Sequence, residues 1–129
     1  VTATGKKLLL DTHVFLWWRG MPDKLLAEAR TAIAGAEIVF VSAASAWEAA
    51  IKSSLGRLEI PGPMEEGVVD SGFEKLPITF THVERTAKLP LNHRDPFDRL
   101  LVAQAQAEGL QLVTRDRAME PYEVSILWA

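Results

Sequence analysis

The run Lys7-Leu8-Leu9-Leu10-Asp11-Thr12-His13 constrains this chain more than any other stretch. Three consecutive leucines do not alternate with polar residues, so a strand built from them is buried on both faces, as in a parallel sheet covered by helices. The run then stops on a carboxylate. A buried, unpaired Asp costs on the order of several kcal/mol, so Asp11 belongs at the sheet's edge, facing water, a cation or a helix N-terminus. Capping of the turn that follows is the plainer alternative. Asp11 by itself does not choose between them.

The remaining pattern alternates in the same way. Residues 14–18 form a short helix ended by Arg19-Gly20, and Pro22 suits the first turn of a second helix. Leu25, Leu26, Ala29 and Ile33 recur at about one helical turn within it, and Gly35 ends it. Residues 37–42 are β-branched and aromatic and read as a second strand stopping at Ser42. A helix over 43–54 follows, with Trp47, Ile51 and Leu55 on one stripe and Gly56 as its stop. Ile60-Pro61-Gly62-Pro63 is a surface loop rather than a linker, because neither side of it is large enough for its own core. Then come a helix over 64–73 with a polar face, a short strand over 75–78, a helix over 81–88 capped by Thr81, and a loop over 90–95. Asp95-Pro96 opens a helix filled by Leu100, Leu101, Ala103, Ala105 and Ala107 and closed by Gly109. Residues 110–114 make a fourth strand, and 124–127 a final edge strand. Strands and helices in this order predict an α/β fold of three layers, α/β/α, with a mostly parallel central sheet of four to five strands.

With 129 residues, 48% of them hydrophobic, residues 1–129 make one domain. The absence of cysteine excludes disulfides and thiolate metal sites and suits a reducing, cytoplasmic setting. Residues 1–7 carry no secretory pattern. The apolar run behind them is broken by Asp11, His13 and Arg19, short of the ~20 residues a membrane helix needs, so no membrane association is expected. A net charge of −3 argues against a basic nucleic-acid-coating protein. It does not argue against an enzyme acting on nucleic acid, since committing the acids below to cations would turn the balance slightly positive.

In a parallel sheet all strand C-termini share one edge, where open α/β sheets bind ligands. Asp11 ends the first strand, Glu48 lies in the first two turns after the second, Asp98 in the first turn of the Asp95-Pro96 helix, and Asp116 just beyond the fourth strand. Each has a capping explanation: Ser45-Ala46-Trp47-Glu48 matches a capping box and Asp95-Pro96-Phe97-Asp98 is a relative of one. Unrelated caps have no reason to share an edge. Two carboxylates about 5 Å apart repel by roughly 3 kcal/mol at an effective dielectric near 20, so something positive must join them. No cysteine is present and His13, His82 and His93 form no spaced pair, which favours Mg²⁺ or Mn²⁺ over zinc. Acidic clusters of this kind aim metal-bound hydroxide at phosphodiesters.

The histidines read as surface or capping residues, and Trp17, Trp18 and Trp47 as core or dimer surface. Arg94, Arg99, Arg115, Arg117, Lys52 and Arg57 are phosphate contacts or solvated surface, and the spacing leaves both open.

Taken together, Leu8-Leu9-Leu10-Asp11-Thr12-His13, Ser42-Ala43-Ala44-Ser45-Ala46-Trp47-Glu48 with Lys52 one turn on, Asp95-Pro96-Phe97-Asp98-Arg99-Leu100-Leu101-Val102-Ala103-Gln104-Ala105 and Leu112-Val113-Thr114-Arg115-Asp116 resemble the PIN-domain ribonucleases, and most closely their VapC-type toxins. The resemblance implies a PIN-like fold, Mg²⁺- or Mn²⁺-dependent endonucleolytic cleavage of RNA, homodimerisation and inhibition by a cognate antitoxin. Carried over by residue, Asp11, Glu48 and Asp98 match the metal-binding acids and Asp116 the fourth acidic position, which can act through water. Thr114, and with it Thr12, matches a hydroxyl position supporting the site. Asp95 reads first as the N-cap, with metal contact as the alternative. Arg94, Arg99, Arg115 and Lys52 are the corresponding candidates for RNA contact.

Two other functions share part of the pattern. A phosphoryl-accepting receiver domain needs adjacent acids after the first strand and a Lys after the last, yet Thr12 follows Asp11 and Arg115 follows Thr114. An inactive binding module would have no need of all four carboxylates.

Overall fold

The computed structural model describes residues 5–91 and 95–129. In chain order its elements are β1 (Lys7–Leu10), α1 (Thr12–Gly20), a 3₁₀ turn (Pro22–Lys24), α2 (Ala27–Gly35), β2 (Ile38–Ser42), α3 (Ala43–Ser54), α4 (Met64–Asp70), β3 (Glu74–Leu76), α5 (Phe80–Thr86), α6 (Pro96–Glu108), β4 (Gln111–Thr114), a second 3₁₀ turn (Arg117–Met119) and β5 (Ile126–Trp128). The strands form one five-stranded sheet in the order β3-β2-β1-β4-β5, and every pairing is parallel.

Strand side chains alternate between two cores. Leu8, Leu10, Val39, Val41 and Val113 pack with Val14 and Phe15 of α1, Ala29 and Ile33 of α2 and Val68 of α4. Leu9 and Leu112 face the other way, onto Leu100, Leu101, Val102, Ala103 and Ala105 of α6. Burial on both faces is what the unbroken leucine run required. The order also creates a switch point. The chain leaves β1 toward β2 and β3, then returns to place β4 on the other side of β1. Open α/β sheets bind ligands at such a point, outside the strand C-termini. Leu10 pairs with Val113 there, and the N–H of Asp11 continues the ladder to the Val113 carbonyl at 3.0 Å.

Two elements differ from expectation, and on a third the structure decides between core and surface. The helix expected from Pro22 onward is split: Pro22 opens only the 3₁₀ turn, and Leu25 and Leu26 are extended before α2 starts at Ala27. Leu25 is buried in the core by that detour, and the Arg30 guanidinium ties the turn to α2 by donating to the Pro22 and Leu25 carbonyls. On α3 the stripe of Trp47, Ile51 and Leu55 is the exposed face, while Ala44, Ser45, Glu48 and Ala49 are buried. Small residues let α3 approach its neighbours closely, so the larger apolar side chains point away. Finally, α5 is capped by Thr79, not Thr81. Its hydroxyl accepts from the His82 N–H while Nδ1 of His82 accepts from the Thr79 N–H, a capping box in which an imidazole takes the place of Glu or Gln. Among the described residues no helix is long and apolar enough to cross a membrane.

Candidate active site

The end of β1 supplies two adjacent polar residues, and each reaches a different neighbour. Asp11 is the N-cap of α1: Oδ1 accepts from the Val14 N–H at 3.0 Å, while Oδ2 accepts from the Thr114 hydroxyl at 2.5 Å. The capping and sheet-edge readings therefore describe the same side chain, one oxygen each. Thr12, the next residue, donates its hydroxyl to Oε1 of Glu48 at 2.5 Å. Asp11 is tied to the end of β4 across the switch point, and Thr12 to α3.

Glu48 is 5% exposed, and its second oxygen accepts from Nζ of Lys52 at 2.7 Å. It does not close a capping box. The N-cap of α3 is Ser42, whose hydroxyl accepts from the Ala44 N–H, and Ser45 is the third residue of the helix. Capping by Ser45 and Glu48 is thus excluded because the helix starts three residues earlier than that reading needs. The Ser45 hydroxyl is fully buried with no hydrogen-bond partner among the described residues. It lies on the same helix face as Glu48, and the i, i+3 spacing was the available signal for it.

Asp95 caps α6 with one oxygen, which accepts from the Phe97 and Asp98 N–H groups at 2.9 and 3.2 Å. An edge-on contact between the rings of Trp47 and Phe97, 5.1 Å between centroids, docks the start of α6 against α3. That brings Asp95 and Asp98 within electrostatic reach of Lys52. The Lys52 ammonium is held above its ordinary pKa by its bond to Glu48, against partial burial, with the charges of Glu48, Asp95 and Asp98 adding to the effect. Asp116 is exposed and caps the second 3₁₀ turn through Ala118, while its own N–H donates to the Thr114 hydroxyl at 3.1 Å. Thr114 therefore bridges Asp11 and the Asp116 backbone.

Burial dominates the electrostatics of Asp11. It raises the carboxyl above its ordinary pKa, opposed by the Thr114 hydroxyl, the Val14 N–H and the neighbouring His13, while the Glu48 charge pushes in the same direction as burial.

Two expected RNA contacts have other work. The Arg99 guanidinium donates to the carbonyls of Thr86, Leu89 and Pro90 and to the Tyr122 hydroxyl, bracing residues 86–90 after α5. Arg115 donates to the Ala129 and Lys24 carbonyls and lies 4.4 Å from the centre of the Trp17 ring. Lys52 stands at the mouth with a side chain 36% exposed. Arg94 and His93 fall outside the described residues.

No three His, Asp or Glu side chains among the described residues stand close enough together to hold a metal ion as they are. The donor chemistry nevertheless suits a hard divalent cation. Asp11 and Glu48 offer carboxylate oxygens from a dry setting, each oxygen retaining acceptor capacity beyond its one hydrogen bond, and burial leaves Asp11 a charge that a cation would relieve.

Residues 8–124 match the family model of the PIN domain. Ribonuclease VapC22 of Mycobacterium tuberculosis (strain ATCC 25618 / H37Rv) is 31% identical over 118 residues, which span 89% of this chain and 91% of that protein. Among solved structures, VapBC2 from Rickettsia felis bound to a DNA fragment of its promoter superposes with a TM-score of 0.71 at 12% identity, over 95% of this chain and 98% of that one. DNA-bound VapBC from Salmonella typhimurium gives 0.66 at 17% identity, over 95% and 98%. The all-parallel sheet with its acid-bearing switch point, the family model and the VapC relative agree: this chain belongs to the PIN-domain family, within which it groups with the VapC proteins.

Proposed function

We propose that this protein is a Mg²⁺- or Mn²⁺-dependent endoribonuclease acting as the toxin of a toxin–antitoxin pair. The observation that carries the reading is that Asp11 at the switch point of the sheet and Glu48, tied to the adjacent Thr12, are both buried, within electrostatic reach of each other and each steadied by a threonine hydroxyl. A site that only supported the fold would gain more from apolar residues there, because buried carboxylates are costly to keep.

In this reading Asp11, Glu48 and Asp98 hold the ion, and Asp116 acts through water. A bound divalent ion would lower the pKa of a water and neutralise charge on the leaving oxygen of a phosphodiester. The protein's own contribution is placement. Thr114 fixes Oδ2 of Asp11, the Val14 N–H fixes Oδ1, and Thr12 fixes Oε1 of Glu48. Thr114 also holds the backbone N–H of Asp116, which sets the entry to the second 3₁₀ turn. Asp95 serves the same end by capping the helix that carries Asp98.

The ribonuclease name of the VapC22 relative and the toxin–antitoxin complexes among the structural neighbours support RNA as substrate and a cognate antitoxin as partner. An antitoxin that offers an Arg to the acids would match a carboxylate with two parallel hydrogen bonds. Homodimerisation belongs to the same reading and is supported by the uncovered apolar face of α3.

The test is direct. The purified chain, freed of any antitoxin, is expected to cleave RNA in Mg²⁺ or Mn²⁺, and EDTA or Asp11→Asn to stop it. Thr114→Val, which leaves every carboxylate in place, should lower the rate about 10- to 100-fold, as losses of groups that orient metal ligands do. Cleavage that persists in EDTA and in Asp11→Asn would overturn the proposal.

A further inference from the structure

An ammonium group stands where the proposed metal chemistry needs a cation. Lys52 follows Glu48 by one turn of α3 and donates to its Oε2 at 2.7 Å. Exposed pairs at this spacing contribute little, but here the Glu48 side chain is 6% exposed, so its charge has little help from water. The other oxygen is taken by the Thr12 hydroxyl, which can orient the carboxylate and cannot neutralise it. Asp95 and Asp98 lie within electrostatic reach of the same ammonium, so Lys52 faces acids from both α3 and the start of α6.

We propose that Lys52 is the built-in counter-ion of the acid cluster, and that a divalent cation gains Glu48 by displacing the Lys52 ammonium from Oε2. The proposal rests on the metal-dependent reading given above. Its physical basis is competition. An ammonium and a hard dication both seek Oε2, and they repel each other at contact distance. The Lys52 side chain is 36% exposed, so the ammonium can swing into water on its four-carbon stem, and it is the mobile partner of the pair. Thr12 keeps its hold on Oε1 throughout, so Glu48 stays aimed while its charge changes hands. Lys52 acts through Glu48 and is a positioning residue. Its pairing holds the acids together without metal and sets how much free cation is needed to load the site.

Calorimetric titration of the whole purified chain with Mn²⁺ tests this without relying on RNA cleavage. Lys52→Met keeps most of the apolar stem and removes the charge. It should melt at a lower temperature in EDTA, because Glu48 is left buried without its partner, and yet bind Mn²⁺ about tenfold more tightly, the order of effect that flanking groups have on metal sites. Lys52→Arg, which keeps charge and donors, should stay near the wild-type affinity. In a Glu48→Gln background the further change Lys52→Met should tighten binding far less. Should Lys52→Met not fold, the wild-type protein answers the question: with ¹³C-labelled lysine, the Lys52 Cε resonance should shift on Mg²⁺ addition and saturate with the bound fraction. An unchanged or weaker Mn²⁺ affinity in Lys52→Met, or a Cε resonance that ignores saturating Mg²⁺, overturns the counter-ion role while leaving the nuclease reading intact. A wild-type chain that binds no Mn²⁺ and cleaves no RNA overturns the metal-dependent reading itself and this proposal with it.

Discussion

Asp11 carries two loads that pull in opposite directions. As the N-cap of α1 and the partner of Thr114 it is woven into the fold, yet its burial makes the charged form unwelcome. The folded-state pKa lies above the ordinary value of 3.8, so the fold binds the proton more tightly than the unfolded chain does. Such a group favours the fold most below its unfolded pKa, and that contribution is lost as pH rises through the folded pKa. At neutral pH the ionised Asp11 therefore weighs against stability. Asp11→Asn, neutral at every pH, is expected to melt at a higher temperature than the wild type in EDTA at pH 7, with the gap narrowing as pH falls toward about 4. Thermal melts across that range check it, and a variant less stable than wild type at pH 7 would contradict the burial argument. The acids stood out as candidates in the sequence because each sits next to a local signal: the end of a strand's apolar run, or the first turns of a helix. Arg99 and Arg115 were not, because their partners are carbonyls supplied by distant residues such as Thr86 and Ala129, and nothing local marks those pairings.

At the scale of the elements, α6 shows what local chemistry can and cannot announce. Both ends were readable: Asp95-Pro96 starts it, and Gly109 ends it in the left-handed conformation at φ 67°. The start of α5 was not readable, because the His82 ring that completes its cap is held by Gln104 and Glu108 of α6. Pro22 failed for a similar reason, since the burial of Leu25 outweighs continuation of the helix. The Asp95 cap separates two roles. Asp95→Ala should cost about 1 kcal/mol of stability, the usual loss for an N-cap, whereas Asp95→Asn should keep the cap. If Asp95 does no more than cap, Asp95→Asn should also keep RNA cleavage near the wild-type rate while Asp98→Asn abolishes it. Chemical denaturation and a cleavage assay on the same three variants check both halves. Loss of activity in Asp95→Asn at unchanged stability would move Asp95 among the metal ligands.

For the molecule as a whole, the sequence located the buried sheet and set Trp47, Ile51 and Leu55 on one stripe, but left Trp47 open between core and dimer surface. Periodicity reports that one helix face is apolar, not what covers it. In the folded chain these side chains are 58%, 37% and 59% exposed. A contiguous row of this kind along a helix marks an interaction surface. A second copy of the same chain is the expected occupant under the proposed function, and a stable dimer buries about 1,200 Å² or more in total. Leu55 is the residue to change, because it caps the C-terminal end of α3, is exposed, and stands beyond the Glu48–Lys52 pair. Sedimentation of the wild type at tens of micromolar should give a dimer, and Leu55→Glu should shift it toward monomer while leaving the Mn²⁺ affinity unchanged. Burying a charged residue in a packed apolar contact costs several kcal/mol, so the shift should be large rather than marginal. A wild-type chain that sediments as a monomer would assign the stripe to a different partner, while a dimer untouched by Leu55→Glu would place the interface on another face, with Phe80 and Val83 of α5, 86% and 50% exposed, the next positions to change.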